Sequence, residues 1–320
     1  MLKYIAHRLL ISTLTMLVIV SMLFLLLEFM PGSPFNDEKL SADQKEILYE
    51  KYGLNKPIQE KFAIYLKNVL IKGDFGQSYT IEKNVPVSNI LKDRMPISMR
   101  LGLQALIVGT IIGIILACIA AIYRNSIWDT LTTMFAVIGI SVPSYVFALA
   151  LSYFLGYKMT MDWHISLFPM TYDIMHPVQS SILPTIALSM FVIATVARFM
   201  RTELVEVLGS EYIMLAEAKG LKRTKVIFRH SIRNALIPVI TVLGPLTVGL
   251  MTGSLVIERV FGIPGIGDLL VTAISVNDFN VTIAVSFFYS LFYILMQLLI
   301  DILYGIIDPR IRVAKGGGGH

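Results

Sequence analysis

The chain has 320 residues, of which 55% are hydrophobic and only 15% charged. Soluble domains carry about 25% charged residues, so this balance, with a mean hydropathy of +0.71, excludes an ordinary soluble domain and points to a polytopic membrane protein. The net charge of +5 is too modest for a nucleic-acid binder, and the single cysteine, Cys118, excludes an intrachain disulfide and is no basis for a metal site.

Lys3, His7 and Arg8 precede an apolar run from Leu9 to Met30. The run is longer than a signal-peptide core and has no clear small-residue cleavage site, so it is expected to be a retained first span over 1–30. Residues 31–97 form the one sizeable polar interval and are expected to fold as a small extracytoplasmic cap. Within it Ser41 and Gln44 form a capping-box pattern, with Gly53 as the stop. A second helix is expected from Pro57 to Gly73, with Ile58, Phe62, Leu66 and Val69 along one side. Gly73-Asp74-Phe75-Gly76 reads as a turn into a short strand near Tyr79–Ile81, and Pro86 and Pro96 bracket a short helix before the second span.

About 20 apolar residues cross a bilayer. Six segments qualify: 9–30, 98–123, 130–157, 180–200, 234–257 and 280–307. Pro184, Pro238, Gly244 and Pro245 interrupt the fourth and fifth, which neighbouring helices or a water-filled path must compensate. The loop at 198–233 carries Arg198, Arg201, Lys219, Lys222, Arg223, Lys225, Arg229 and Arg233, whereas 158–179 has only Lys158 and 258–279 only Arg259. The positive-inside rule then places both termini and the basic loop in the cytoplasm, as an even number of spans requires. Residues 308–315 are the expected cytoplasmic tail, and 316–320 read as a linker and tag remnant.

In the basic loop, Ser210 is a candidate N-cap, Glu211 suits the positive end of a helix, Lys219 its last turn, and Gly220 its stop. Tyr212, Ile213, Leu215 and Ala216 make this short helix apolar, with Ala216 and Ala218 small enough for close approach of a partner. On pattern alone it is either an interfacial helix on the membrane or a docking element for a soluble partner. Gly139, Ser141, Pro143 and Ser144 in the third span read as a kink beside a pathway or as close helix packing. The density of Pro238, Gly244, Pro245, Gly249 and Gly253 favours flexing of the fifth. Glu28 and Asp301 are expected to reach the interface, Arg198 and Arg201 to anchor the inner end of the fourth span. His164, His176 and His230 lack ligand spacing. A Gly-x-x-x-x-Gly-Lys-Ser/Thr phosphate loop, His-Glu-x-x-His and Gly-x-Ser-x-Gly are all absent.

The stretch from Glu211 to Leu221 followed by Arg229-His-Ser-Ile-Arg-Asn-Ala-Leu-Ile-Pro238 resembles the coupling loop of ABC importer permeases of the oligopeptide/dipeptide family. Gly139-Ile-Ser-Val-Pro-Ser-Tyr145, Glu258-Arg-Val-Phe-Gly-Ile-Pro-Gly-Ile-Gly267 and Ile307-Asp-Pro-Arg-Ile-Arg312 agree with it, and Pro31-Gly32 with Gly73-Asp-Phe-Gly-Gln-Ser78 resemble the B-type subunit. The wider importer pattern has Glu-Ala-Ala six residues before its glycine, where this chain has Met214-Leu215-Ala216. The resemblance implies an all-α, six-helix type I importer fold, with a transmembrane core over 98–307 and a coupling loop at 201–233. It implies no catalytic residue and no bound cofactor or metal, since ATP and magnesium would sit on two cytoplasmic ABC ATPases. Further implied partners are a homologous second permease, an extracytoplasmic peptide-binding protein and membrane lipid. The implied ATPase-coupling residues are Ser210, Glu211, Tyr212, Ala216, Glu217, Ala218, Lys219 and Gly220; Ser141, Pro143, Ser144, Gly249 and Gly253 are pathway candidates. The expected location is the bacterial cell membrane and the expected cargo oligopeptides, with dipeptides, nickel complexes or glutathione as alternatives within the class. An ion-coupled secondary transporter is the distant alternative, for which internal repeats and midplane charges are missing.

Overall fold

The computed structural model describes residues 2–29, 42–51, 55–165, 167–222 and 225–307. The described residues hold no strand, only one isolated bridge between Gln77 and Pro86. The helices are α1 (Leu2–Phe29), α2 (Ala42–Lys51), α3 (Ile58–Lys67), α4 (Val87–Ile122), α5 (Ile127–Ser141), α6 (Ser144–Leu151), α7 (Ile182–Leu208), α8 (Glu211–Ala218), α9 (Ile232–Met251), α10 (Leu255–Val260), α11 (Ile266–Ser275) and α12 (Phe279–Ile307). Four helical stretches, Leu10–Phe29, Val87–Ile122, Pro177–Leu208 and Phe279–Ile300, are long and apolar enough to cross a bilayer. Two bent pairs, Ile127–Ser141 with Ser144–Met161 and Val226–Leu236 with Pro238–Met251, raise the number to six.

The chain divides into two compact units, Met1–Ile97 with Pro264–Leu295 and Ser98–Ile263 with Met296–His320. In the first, one side of α3 packs on α1 and α12: Ile58, Phe62, Tyr65 and Leu66 surround the buried Val20, Phe24, Leu27 and Ile283. The Phe24 and Phe62 rings lie 5.2 Å apart. A second cluster joins Val69, Phe75, Val87, Ile90 and Leu91 to Leu269 and Ala273 of α11 and to Val281, Ala284 and Val285 of α12. As expected, the α3 segment stops at Gly73, whose φ of +62° suits a residue without Cβ.

In the second unit α7 is the central helix: 78% of its apolar window is buried, against 33% for α4. Val192, Val196, Met200 and Leu204 of α7 meet Ala117 and Ala121 of α4 and Ala235 and Val239 of α9. In a bilayer, lipid tails are as apolar as leucine, so such contacts rest on close packing rather than on expelled water. Gly109 and Gly113 supply that closeness on α4, since a Cβ there would stand 2.6 Å from Val192 Cβ and 2.7 Å from Val196 Cβ.

Several expectations are corrected. The strand near Tyr79–Ile81 is replaced by bends, because the N–H groups of Tyr79, Thr80 and Ile81 all donate to Asp278 Oδ2, at 3.0, 3.0 and 3.2 Å, rather than to a neighbouring strand. Pro96 does not end a short helix: α4 runs through it, and the Lys92 carbonyl is left without the N–H that a residue other than proline would offer. Of the two readings at Gly139, Ser141, Pro143 and Ser144 the kink is present: the third span bends by 100° between Ser141 and Ser144, where Pro143 lacks an N–H and Val142 is extended. The fifth stops at Met251 rather than at 257, because Gly253 turns the chain at φ +88°. The fourth continues to Leu208, so the basic loop begins as helix. Ser41, Gly53 and the segments 308–315 and 316–320 lie outside the described residues, as does the side chain of Asp301.

Candidate functional site

The helix predicted in the basic loop is present as α8, over Glu211–Ala218. Ser210 occupies the N-cap position with extended backbone, but its hydroxyl does not cap the helix. It donates instead to the Val207 carbonyl at 2.6 Å, which ties α8 to the end of α7. Lys219 lies one residue beyond the last turn, as the C-cap. Gly220 has φ +80°; its N–H donates to the Glu217 carbonyl at 2.9 Å and that of Leu221 to the Ala216 carbonyl at 3.3 Å. These two bonds make the helix end a Schellman motif.

Only Ile213 is buried, at 1% exposure. It anchors α8 beside the 226–231 turn, where Val226 and Ile227 are also buried. Asn234 donates to the Tyr212 hydroxyl at 2.9 Å and pins the helix from the start of α9. Tyr212, Met214 and Leu215 remain exposed, flanked by the exposed charges of Glu211, Glu217, Lys219 and Lys222, and Ala216 is half-buried between them. Such an exposed apolar face with a charged rim suits either another protein's groove or a membrane surface.

The pathway candidates divide. Ser141 and Pro143 are exposed and Ser144 half-buried, all at the break between α5 and α6. Gly139, two residues earlier, is buried, and a Cβ there would stand 2.7 Å from Ala194 Cβ, so close packing governs that position. Gly249 is on an open face of α9 with nothing within 4 Å of its would-be Cβ, and Gly253 lies beyond the helix. Gly244 packs instead on Ile300. Glu28 pairs with Lys61 of α3. Asp173, on the exposed 162–176 loop, is held below the usual carboxylate range first by the side-chain hydrogen bond with His176 at 2.8 Å and then by the Met175 N–H. No cluster of metal-ligating side chains occurs among the described residues.

Two features were missed in the sequence. Arg201 does more than anchor α7: its Nε and one terminal nitrogen donate to the two carboxylate oxygens of Asp129 at 2.6 and 2.8 Å. Asp129 is 5% exposed and also accepts the Asn125 N–H at 2.9 Å. An acidic residue in the first turn of an apolar segment was the available signal. The second is the close contact of α4 with α7, signalled by Gly109-x-x-x-Gly113.

The fold and this site define a multi-spanning helical membrane protein that carries a short, largely exposed helix between two spans. Residues 109–313 match the family described as "Binding-protein-dependent transport system inner membrane component", and residues 1–102 match its N-terminal companion. The chain belongs to this family and is a multi-pass inner-membrane transport component. It is similar to the dipeptide transport system permease protein DppB of Lactococcus lactis subsp. cremoris, with 42% identity over 98% of this chain and 100% of the relative. It is also similar to the oligopeptide transport system permease protein OppB of Haemophilus influenzae, with 37% identity over 98% and 100%. The DppB of Bacillus subtilis shares 39% over 99% and 100%. A crystal structure of an amino acid ABC transporter with histidines shares the fold, with a TM-score of 0.52 at 13% identity over 68% of this chain and 93% of that one.

Proposed function

We propose that this chain is the B-type permease subunit of an ATP-driven peptide importer, and that α8 is where an ATPase subunit docks. The carrying observation is α8 itself: one buried anchor, a Schellman-capped C-terminal end and an exposed apolar face formed by Tyr212, Met214 and Leu215. With no phosphate loop in the chain, the energy comes from partners, two ABC ATPases holding ATP and magnesium. A homologous second permease completes the pathway, and an extracytoplasmic binding protein delivers the cargo. The basic loop at 198–233 supports a cytoplasmic position for α8 and for both termini. The names of the similar proteins divide between dipeptide and oligopeptide transport, which favours peptides over nickel complexes or glutathione. Ser141, Pro143 and Ser144 at the α5–α6 break, with Gly249 and Gly253, are the pathway candidates.

Gly220→Trp and Ala216→Arg test the docking helix. The first forces a side chain onto a φ of +80° and melts the Schellman end; the second puts a cation beside the exposed apolar face. In proteoliposomes holding the complete complex, both variants are expected to insert normally and to lose ATP-driven peptide uptake. Wild-type uptake with wild-type ATPase stimulation in both would refute the docking role of α8.

A further inference from the structure

We infer that the Asp129–Arg201 ion pair is a transmission clamp, which makes α5 move with α7 and so carries displacement of α8 to the break at Val142–Pro143. The inference rests on the importer reading and adds the path by which α8 would act. Its first link is covalent and short. Only Gly209 and Ser210 separate α7 from α8, and the joint is braced by Gly209 N–H bonds to the Val205 and Glu206 carbonyls, at 3.3 and 3.1 Å, and by the Ser210 hydroxyl on Val207. A shift of α8 therefore reaches α7 with little slack.

The second link is the ion pair, about 10 Å along α7 from its end. Both carboxylate oxygens of Asp129 are engaged by the Arg201 fork, a two-point geometry that resists rotation as well as separation. Asp129 is nearly buried, so water competes poorly for it. The third link lies about 15 Å further along α5, where Gly139 allows contact: a Cβ there would meet Ala194 Cβ at 2.7 Å and the Met190 carbonyl at 3.2 Å. A helix pinned at two such points cannot swivel on its neighbour. Two residues past the upper pin, α5 ends at Ser141 and the chain turns by 100° into α6. Motion imposed on the rigid α5–α7 pair is thus delivered to that bend, where Ser141 and Pro143 stand exposed.

Asp129 and Arg201 are positioning residues here, and the test separates transmission from folding. Asp129→Asn, Arg201→Gln and the neutral double variant are placed in the complete complex in proteoliposomes. The double variant leaves no uncompensated buried charge. ATP hydrolysis is expected to persist while peptide taken up per ATP falls about fivefold or more. Spin labels on the exposed Thr133 and Thr202 give a second readout that needs no substrate. Their separation is expected to stay constant between nucleotide-free and nucleotide-bound complexes of the parent, and to vary in the double variant. Parental uptake per ATP in the variants, or a parental distance that changes with nucleotide, overturns the clamp. Failure of all three variants to insert assigns the pair to folding and overturns it as well. A parental complex that takes up no peptide under ATP sinks the importer reading alone, since the label distances still decide the clamp.

Discussion

Asp278 concentrates an unusual load on one oxygen. Its Oδ2 accepts the Ser78 hydroxyl at 2.6 Å together with three consecutive backbone N–H groups, while the residue itself is fully buried. Successive N–H groups curled around an anion form a nest, and the anion replaces the partner strand they would otherwise need. Ser78 relays the contact onward by accepting the Glu82 N–H at 3.0 Å. Asp278→Ala removes the oxygen that these buried and half-buried donors share, at about 1–3 kcal/mol for each buried group left unsatisfied. Hydrogen exchange at the amides of Tyr79, Thr80 and Ile81 is expected to accelerate about 100-fold, with α8 unaffected. Unchanged protection at all three would show that the nest does not hold this loop.

At the scale of elements, the α4–α7 contact depends on two missing side chains. Gly113→Leu places a Cβ 2.7 Å from Val196 Cβ and 3.0 Å from the Ile193 carbonyl, and backbone cannot yield as a flexible side chain can. Overpacking of this kind costs about 1–3 kcal/mol, so the melting temperature of the purified subunit in detergent is expected to fall by about 5 °C. Gly249→Ala, which meets nothing within 4 Å, is expected to leave it unchanged or raise it. An equal response at both positions would show that close approach is not what Gly113 provides. The same physics explains which elements were legible. The side of α3 from Ile58 to Leu66 could be read because its apolar period coincides with its packing on α1 and α12. In the third span a kink could be suspected from Gly139, Ser141, Pro143 and Ser144, but not its size, since composition does not register an angle. Pro96 misled because a proline inside a long apolar run need not end the helix, and α4 runs through it.

Across the whole molecule, α8 was legible in the sequence while its support was not. Ser210 to Gly220 are contiguous, so the chemistry of capping and termination lies in neighbouring residues. The Asp129–Arg201 pair spans 72 positions, and Ser78–Asp278 spans 200, distances at which a single sequence carries no pairing signal. Charge asymmetry is a third kind of information, neither local nor pairwise, and it fixes the orientation argument. The loop around α8 is strongly basic, whereas the 158–179 loop has one lysine and exposes Trp163, Ile174 and Met175. Moving a cluster of cations across the bilayer is opposed during insertion, which is the ground for expecting the basic side inside. In a background with Cys118 replaced by Ala, Lys222→Cys and Ile174→Cys provide exposed thiols in the two loops. An impermeant maleimide applied to intact spheroplasts is expected to label position 174 and to reach position 222 only after the membrane is opened. Labelling in the reverse order would invert the chain and place α8 where no ATP-hydrolysing partner can reach it. The docking role would then fail even if every contact within the basic loop were as described.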